Sequence, residues 1–293
     1  MRGCTSRRRI ELRGLSYSLL VSAPGPASRG PVLFLHGFAG GADDWSGVME
    51  RLASEGCGSI AVDLPGHGST GAPEDADRYT AASVVRDLTE ILDALGVPSA
   101  HWLGYSMGAR LALRAALDVP GRVRSLILES ASTGIVDADA RRERVERDLG
   151  LARDIEGRGI EWFVAHWETQ PIFRTQEALD GDVLRAQRAR RLRQRPEGLA
   201  RALRGLGQGA EPDLTPRLAS VRVPTLILAG ELDPPYLAHA ERLASGIPDS
   251  ERLVIDGAGH NIHLERPEPF GRTLAARLTR VESARFVPAR TEA

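Results

Sequence analysis

Gly104-Tyr105-Ser106-Met107-Gly108 is the stretch of sequence that decides the fold. It follows an apolar run, residues 100–103, and precedes residues 109–113, which are rich in good helix formers. Glycines two residues before and two residues after a serine permit a very sharp strand-to-helix turn, where a Cβ at either position would collide with neighbouring backbone. The pattern therefore predicts a nucleophile elbow that lifts the Ser106 hydroxyl to the top of a sheet.

Two candidate partners for Ser106 follow later in the chain. Residues 223–230 form a nearly continuous apolar run that predicts a buried strand, and Asp233 comes just after it. A second apolar run, residues 252–255, leads into a glycine-rich loop that ends at His260. We predict a triad with Asp233 as the acid and His260 as the base. A turn aspartate and a loop histidine without a role are the alternatives. The order Ser, Asp, His is that of the α/β-hydrolase fold.

The loop after an early strand supplies a further element. Residues 32–35 form a short apolar strand, and the glycine-rich loop 36–41 follows it. In this fold that loop contributes one amide of the oxyanion hole, and the residue after the nucleophile contributes the other. The sequence therefore predicts that the backbone amides of Phe38 and Met107 form an oxyanion hole.

Composition limits the class of protein. The chain has 293 residues, of which 42% are hydrophobic and 26% charged, enough for one large core or a core with an insertion. The formal net charge of −1 indicates no nucleic-acid or membrane partner, and no apolar run approaches the roughly 18 residues of a membrane span. Cys4 and Cys57 provide neither a disulfide framework nor a metal-ligand cluster. No feature of the sequence defines an oligomeric state.

The amino-terminal segment imitates a short signal peptide, because three arginines, residues 7–9, precede the apolar stretch 15–23. That stretch is short and alternates with serine, as a first β-strand would, and Pro24-Gly25-Pro26 then predicts a turn. We therefore predict a strand here and a cytoplasmic protein.

The alternation of strands and helices is interrupted after residues 123–130, the predicted strand that follows the elbow helix. Between about residues 136 and 212 the apolar clusters follow helical spacing, without a buried-strand run. We predict a single α/β-hydrolase domain over residues 1–293, in which helices flank a mostly parallel sheet and a helical lid, residues 136–212, is inserted above it.

The predicted lid is rich in arginine. Between residues 182 and 204 the acidic residues are Asp182 and Glu197 only. The eight arginines of this stretch are Arg185, Arg188, Arg190, Arg191, Arg193, Arg195, Arg201 and Arg204. A solvated helix face explains most of this local excess of positive charge, whereas a few arginines could line a cleft for an anionic substrate.

Several segments together resemble the 2-succinyl-6-hydroxy-2,4-cyclohexadiene-1-carboxylate synthase family of the menaquinone pathway. They are the elbow 104–110, the strand end 129–135, the lid stretch 162–173 and the stretches 196–200 and 203–209. The resemblance covers about residues 32–270. The triad motifs are typical of the whole α/β-hydrolase superfamily. More specific are the tyrosine before the serine, the arginine four residues after it and the Trp-x-x-x-Pro-x-Phe segment of the lid.

The resemblance implies a lyase on a hydrolase scaffold. The family's substrate is a cyclohexene that carries several carboxylates, from which the enzyme abstracts a ring proton and eliminates pyruvate without a metal or organic cofactor. By match to the family's motifs, the substrate-binding residues are Tyr105, Arg110, Arg144, Trp167 and Arg191. Ser106 would then act as a base. The chain departs from the family at Glu211, where many relatives have glutamine, and at Thr133, where proline is usual. Glu211 would weaken anion binding if it faced the pocket.

The triad leaves other functions open. A carboxylesterase or a C–C bond hydrolase would use Ser106 to attack carbon, and a non-catalytic binding protein of this fold is disfavoured because all three triad members are present. A burst of acylated Ser106 with ester substrates would indicate hydrolysis. Pyruvate release without acylation would indicate elimination. In either case the expected partner is a small molecule, a polycarboxylate for the lyase, and not nucleic acid or a membrane.

Overall fold

The computed structural model describes residues 5–23 and 30–285. Within this part of the chain eight strands form one sheet in the order β1-β2-β4-β3-β5-β6-β7-β8. The strands are β1 (Thr5–Leu12), β2 (Leu15–Ser22), β3 (Val32–Leu35), β4 (Ser59–Val62), β5 (Ala100–Tyr105), β6 (Val123–Glu129), β7 (Thr225–Gly230) and β8 (Ser250–Ile255). β1 pairs antiparallel with β2, and β2 with β4, whereas the pairs from β4 to β8 are parallel.

Helices cover both faces of the sheet. The α-helices of the described residues are α1 (Ser46–Ser54), α2 (Ala81–Ala94), α3 (Met107–Asp118), α4 (Ala138–Glu168), α5 (Gly181–Leu192), α6 (Pro196–Leu206), α7 (Pro234–Gly246), α8 (Ile262–Glu265) and α9 (Pro267–Arg285). α2, α3 and α7 contribute to the hydrophobic cluster on one face, and α1, α8 and α9 to the cluster on the other. Because both faces are covered, the central strands are continuous apolar runs, as the sequence predicts.

The amino-terminal segment differs from the prediction in one respect. Residues 15–22 do form a strand, but it is the second strand, and the arginines of residues 7–9 lie in β1. β1 is a mostly exposed strand at the edge of the sheet, and its apolar residues do not alternate regularly. Its sequence therefore does not predict a strand, and only its pairing with β2 shows that it is one. Cys4 and the predicted turn at residues 24–26 lie outside the described residues. No helix among the described residues is long and apolar enough to span a membrane.

Between β6 and β7 the chain forms helices and no strand. α4 bends at Gly159, whose φ of 83° and ψ of 179° are not helical. A 3-10 segment, Pro171–Ala178, leads to α5 and α6. We call residues 136–212 the helical insertion. Several of its buried side chains, among them Ile155, Phe163 and Leu199, form a small hydrophobic cluster apart from the two that pack on the sheet.

Candidate active site

The turn between β5 and α3 has the strained geometry that its glycines predict. Ser106 adopts a φ of 52° and a ψ of −108°, a backbone conformation that residues other than glycine rarely adopt. A Cβ on Gly104 would lie 2.2 Å from the Gly108 carbonyl oxygen, and one on Gly108 would lie 2.2 Å from the Leu35 carbonyl oxygen. The Ser106 amide donates to the Glu129 carbonyl at 2.9 Å, which ties the turn to β6.

Ser106, His260 and Asp233 meet at the carboxyl edge of the sheet in a hydrogen-bonded chain. His260 Nε2 lies 3.1 Å from Ser106 Oγ, and His260 Nδ1 lies 2.8 Å from Asp233 Oδ2. The carboxylate and the imidazole are buried, with 5% and 2% of each residue exposed. With Nδ1–H donated to Asp233, His260 Nε2 is left to accept the Ser106 proton, which lets the serine act as a base or as a nucleophile.

The loop that carries His260 is held by side chains that bond to its backbone. Glu265 accepts hydrogen bonds from the amides of Gly259, at 2.6 Å, and Asn261, at 3.1 Å, one on each side of the histidine. The Ser130 hydroxyl donates to the His260 carbonyl at 2.7 Å. These three contacts fix the backbone of the loop, and none of them involves the helical insertion.

The residues predicted to form an oxyanion hole lie on the same cavity as Ser106. Met107 is the first residue of α3, so its amide belongs to the helix amino terminus, where unpaired N–H groups and the helix dipole favour negative charge. Phe38 lies in the loop after β3, which closely approaches Tyr105: a Cβ on Gly37 would lie 2.7 Å from the Tyr105 ring. The role of the two amides stays a prediction.

A cavity of about 590 Å³ opens above Ser106, between the sheet edge and the helical insertion. Trp167 lies in its wall, and its ring packs against Phe38, Phe163 and Phe173 with centroid distances of 5.3, 5.5 and 5.6 Å. Tyr105 is also in the wall, and burial raises the pKa of its hydroxyl well above the usual value, so the phenol is a neutral donor. One end of the cavity is thus aromatic.

Arg110 lines the other part of the cavity, one helical turn after Ser106. Its guanidinium is buried and donates to the carbonyls of Leu206, at 2.5 Å, and Gly207, at 3.3 Å, which end α6. Burial lowers the pKa of Arg110 and the nearby Glu211 carboxylate raises it. Because a guanidinium has five donors, Arg110 still has N–H groups for an anion in the cavity.

Arg144 is also in the cavity wall. Its guanidinium donates to Asp148 Oδ1 at 2.8 Å and to Gln208. Arg147, one helical turn further along α4, lines the same wall. The structure therefore brings Arg144 together with Arg110, as the resemblance implies, and adds Arg147 to them.

Arg191 is not among the residues that line this cavity. It is buried behind Phe173, with its guanidinium carbon 5.3 Å from the centroid of that ring, and it pairs with Glu168 at 3.4 Å. Arg191 instead lines a small second cavity, together with Phe38, Tyr105 and Phe173. Substrate binding by Arg191 stays a prediction of the sequence.

Glu211 and Thr133, where the chain departs from the family pattern, are both buried. Glu211 does not line the cavity, but its Oε2 lies 3.9 Å from Arg110, and burial raises the pKa of this carboxyl while Arg110 lowers it. The Thr133 hydroxyl lies 2.9 Å from that of Thr215 in a hydrogen bond. Glu211 therefore acts on the cavity through Arg110 only.

Sequence reasoning did not assign several residues of the cavity wall to the site, among them Arg147, Gln208 and Tyr236. The helical spacing of Arg144 and Arg147 was a signal for the first. Tyr236 lies three residues after Asp233, and its ring centroid is 4.3 Å from that of His260. No sequence pattern predicts where that ring points. Among the described residues, no three His, Cys, Asp or Glu side chains form a group that could hold a metal ion.

Comparison with known proteins identifies relatives of this chain. A family model described as alpha/beta hydrolase fold matches residues 30–267. The chain is 38% identical to a Bacillus subtilis (strain 168) protein over 92% of this chain and 96% of the relative, which is provisionally named 2-succinyl-6-hydroxy-2,4-cyclohexadiene-1-carboxylate synthase. It is 32% identical to the synthase of that name from Salmonella agona (strain SL483), over 83% of this chain and 92% of the relative.

The solved structure of MenH from S. aureus is similar throughout. It superposes with a TM-score of 0.86 at 34% identity, over 91% of this chain and 98% of that one. The similarity therefore extends over the sheet and the helical insertion alike.

Proposed function

This chain belongs to the 2-succinyl-6-hydroxy-2,4-cyclohexadiene-1-carboxylate synthase family of α/β-hydrolase-fold proteins, and we propose that it is a lyase of the menaquinone pathway. Its substrate would be 2-succinyl-5-enolpyruvyl-6-hydroxy-3-cyclohexene-1-carboxylate, from which it eliminates pyruvate. Membership in the family confirms the resemblance found in the sequence. The assignment of roles to individual residues is the proposal.

One observation carries the proposal: a hydrogen-bonded serine and the guanidinium groups of Arg110 and Arg144 line the same cavity. Ser106, Arg110 and Arg144 all contribute to its wall, and Arg110 is buried at a site where little water screens its charge. A substrate with several carboxylates matches two arginines, because a guanidinium binds a carboxylate through two parallel hydrogen bonds. A neutral ester offers no carboxylate to either guanidinium.

In the proposed reaction Ser106 is a base. His260, oriented by Asp233, accepts the serine proton, and the resulting alkoxide takes a ring proton from the substrate. The bond between the ring carbon and the enolpyruvyl oxygen then breaks, and pyruvate leaves. The Phe38 and Met107 amides would stabilise the negative charge that develops on a substrate oxygen, a contribution of about 3 kcal/mol for each donor.

The test is direct. The purified protein is incubated with the enolpyruvyl substrate, and pyruvate is measured with a coupled dehydrogenase, while mass spectrometry follows the mass of Ser106-containing peptides. We expect pyruvate at a rate that depends on Ser106, without acylation of the serine. Absence of enzyme-dependent pyruvate would remove the assignment.

Ester or C–C bond hydrolysis is the second candidate, because the Ser106–His260–Asp233 geometry suits a nucleophile as well as a base. A neutral p-nitrophenyl ester distinguishes a hydrolase from a lyase. A burst of p-nitrophenol with an acylated serine, and faster turnover than with the polycarboxylate, would favour the hydrolase.

We also propose that the protein acts in the cytoplasm on a small molecule, without a nucleic-acid or membrane partner. The apolar stretch after the amino-terminal arginines is strand β2, which buries Tyr17 and Leu19 and pairs with β1 and β4. This supports its place in the folded domain. Recovery of the protein in a membrane or secreted fraction would contradict the proposed location.

A further inference from the structure

Tyr236 occupies a position beside the triad that the proposed reaction has not used. It lies in the first turn of α7, where its amide donates to the Asp233 carbonyl at 3.0 Å. Its ring lines the cavity and packs on His260, with ring centroids 4.3 Å apart and ring planes at 58°. The phenol is therefore attached to the same helix turn as the triad acid and rests on the triad base.

The surroundings of the Tyr236 hydroxyl are those of a hydrogen-bond donor. Burial raises its pKa above the usual value near 10, and the nearby Asp233 acts in the same direction. The positive charges of Arg110 and Arg144 and the nearby Ser106 side chain oppose this without reversing it. The phenol therefore keeps its proton at neutral pH, at the polar end of the cavity and within reach of Ser106.

We propose that Tyr236 is a further catalytic residue, whose hydroxyl donates a hydrogen bond to Ser106 Oγ while that oxygen carries negative charge. The nearness of the phenol to Ser106 rests on the cavity that both side chains line and on the packing of Tyr236 on His260, and its catalytic consequence rests on the proposed function. A donor aimed at an oxygen that becomes charged during the reaction stabilises the transition state more than the ground state.

The proton balance of the step leaves Tyr236 unchanged. The Ser106 proton moves to His260 Nε2, and Ser106 Oγ then takes the ring proton of the substrate. The electron pair of that C–H bond forms the new ring double bond, and the C–O bond to the enolpyruvyl group breaks with its pair on oxygen. The enolate gains a proton from His260 at carbon and becomes pyruvate. Tyr236 donates a hydrogen bond throughout and transfers no proton.

The first test is Tyr236→Phe, which removes the hydroxyl and keeps the ring on His260. We expect kcat for pyruvate release to fall about 10- to 100-fold, the range for a hydrogen bond to a charged group, with KM within about threefold of wild type because the substrate is not bound by this phenol. The matched control is Tyr79→Phe, whose hydroxyl bonds the Pro73 carbonyl at 3.1 Å outside the cavity and should leave both constants unchanged.

Two kinetic results would overturn the proposal. One is a kcat for Tyr236→Phe equal to that of wild type. The other is an increased KM with an unchanged kcat, which would mean that the phenol binds the substrate and not Ser106.

A second measurement is independent of the reaction. The chain has four tyrosines, so labelling with tyrosine carrying ¹³C at Cζ gives four resonances, which Tyr→Phe variants assign. We expect Ser106→Ala to shift the Tyr236 resonance and to leave those of Tyr17 and Tyr79 in place. An unshifted Tyr236 resonance would overturn the contact and the inference with it. If the wild type released no pyruvate but this shift occurred, the proposed function alone would fail.

Discussion

The cavity joins two regions of the molecule that are held in place differently, the sheet edge and the helical insertion. At the sheet edge, backbone approaches backbone so closely that single methyl groups are excluded: a Cβ on Gly230 would lie 2.1 Å from the Gly259 carbonyl oxygen. Ser106, His260 and Asp233 stand on this close-packed frame. Small displacements there are costly, so the geometry of proton transfer is preorganised.

The helical insertion is also attached through long polar side chains. Arg190 pairs with Asp44 at 2.8 Å, and Gln194 bonds the Gly40 carbonyl at 2.9 Å and the Gly68 amide at 2.9 Å. Exposed ion pairs contribute only about 0–1 kcal/mol each. Besides these polar contacts, α6 packs closely against the loop after β4, where a Cβ on Gly198 would lie 2.3 Å from the Gly66 carbonyl oxygen. Close backbone packing thus surrounds the triad, whereas in the insertion it is found at α6 and not at Gly157 of α4.

Arg110 connects the two regions. It belongs to α3 of the sheet edge, and yet its guanidinium donates to the last carbonyls of α6 in the insertion. A substrate carboxylate bound to Arg110 would therefore lie where the sheet edge, which carries Ser106, meets the helical insertion.

The largest expected effect concerns the sheet edge. Ser106→Ala and His260→Ala should each lower kcat by about 10³- to 10⁶-fold with the fold intact, and the double variant should be little worse than either single one, because triad members act as a unit. Steady-state pyruvate release and circular dichroism check this. Additive losses would show that the two residues act separately.

Arg110→Ala should have the next largest effect. If Arg110 binds a substrate carboxylate in a water-poor site, its loss should cost about 2–5 kcal/mol in kcat/KM, and Arg110→Lys should recover only part because the two-pronged contact is lost. Arg188→Ala is the control, since Arg188 is exposed, pairs with Glu168 and does not line this cavity. Equal losses at Arg110 and Arg188 would contradict a specific carboxylate contact.

Glycine-to-alanine substitutions test the difference in packing between the two regions through the free energy of unfolding. Gly108→Ala should lower the free energy of unfolding by about 3 kcal/mol or more, because its Cβ would meet backbone. Gly157→Ala in α4 meets nothing within 4 Å and should raise it by about 0.5–1 kcal/mol. Urea denaturation gives both values. Similar destabilisation at the two positions would remove the distinction.

The smallest effect is expected at Glu211. Burial raises the pKa of Glu211 above the usual 4.5, so the folded state holds the proton more tightly than the unfolded state. The folded state is therefore destabilised as pH rises from the unfolded pKa through the raised pKa, because Glu211 must then ionise in a buried site. Glu211→Gln removes this cost, so its melting temperature relative to wild type should be higher at about pH 8 than at about pH 4.

Glu156→Gln is the control for the direction of this pH dependence. Hydrogen bonding to Arg204 lowers the pKa of Glu156, so its contribution is present at neutral pH and is lost as pH falls through the lowered pKa. Its variant should therefore lose stability at neutral pH and differ least from wild type in acid. The same pH trend in both variants would contradict the assignment for Glu211.

Much of the fold could be predicted because parallel strands that are covered on both faces are continuous apolar runs. The predicted mostly parallel sheet with flanking helices is confirmed, with strand ends that shift by a few residues: β7 begins at Thr225, after the predicted start of its apolar run. β1 and α9 were not predicted. β1 has no apolar period, whereas α9 adds Phe270, Leu274 and Leu278 to the core at a helical spacing.

By itself, the sequence determined the elbow, the strand order along the chain and the residues that follow the strands, because these depend on short-range sterics and on local apolar patterns. Only the tertiary structure decided which arginines reach the cavity. Arg110, Arg144 and Arg147 line it, whereas Arg191 lies behind Phe173. The direction of a long side chain is set by the helices that dock around it, and no local pattern contains that docking.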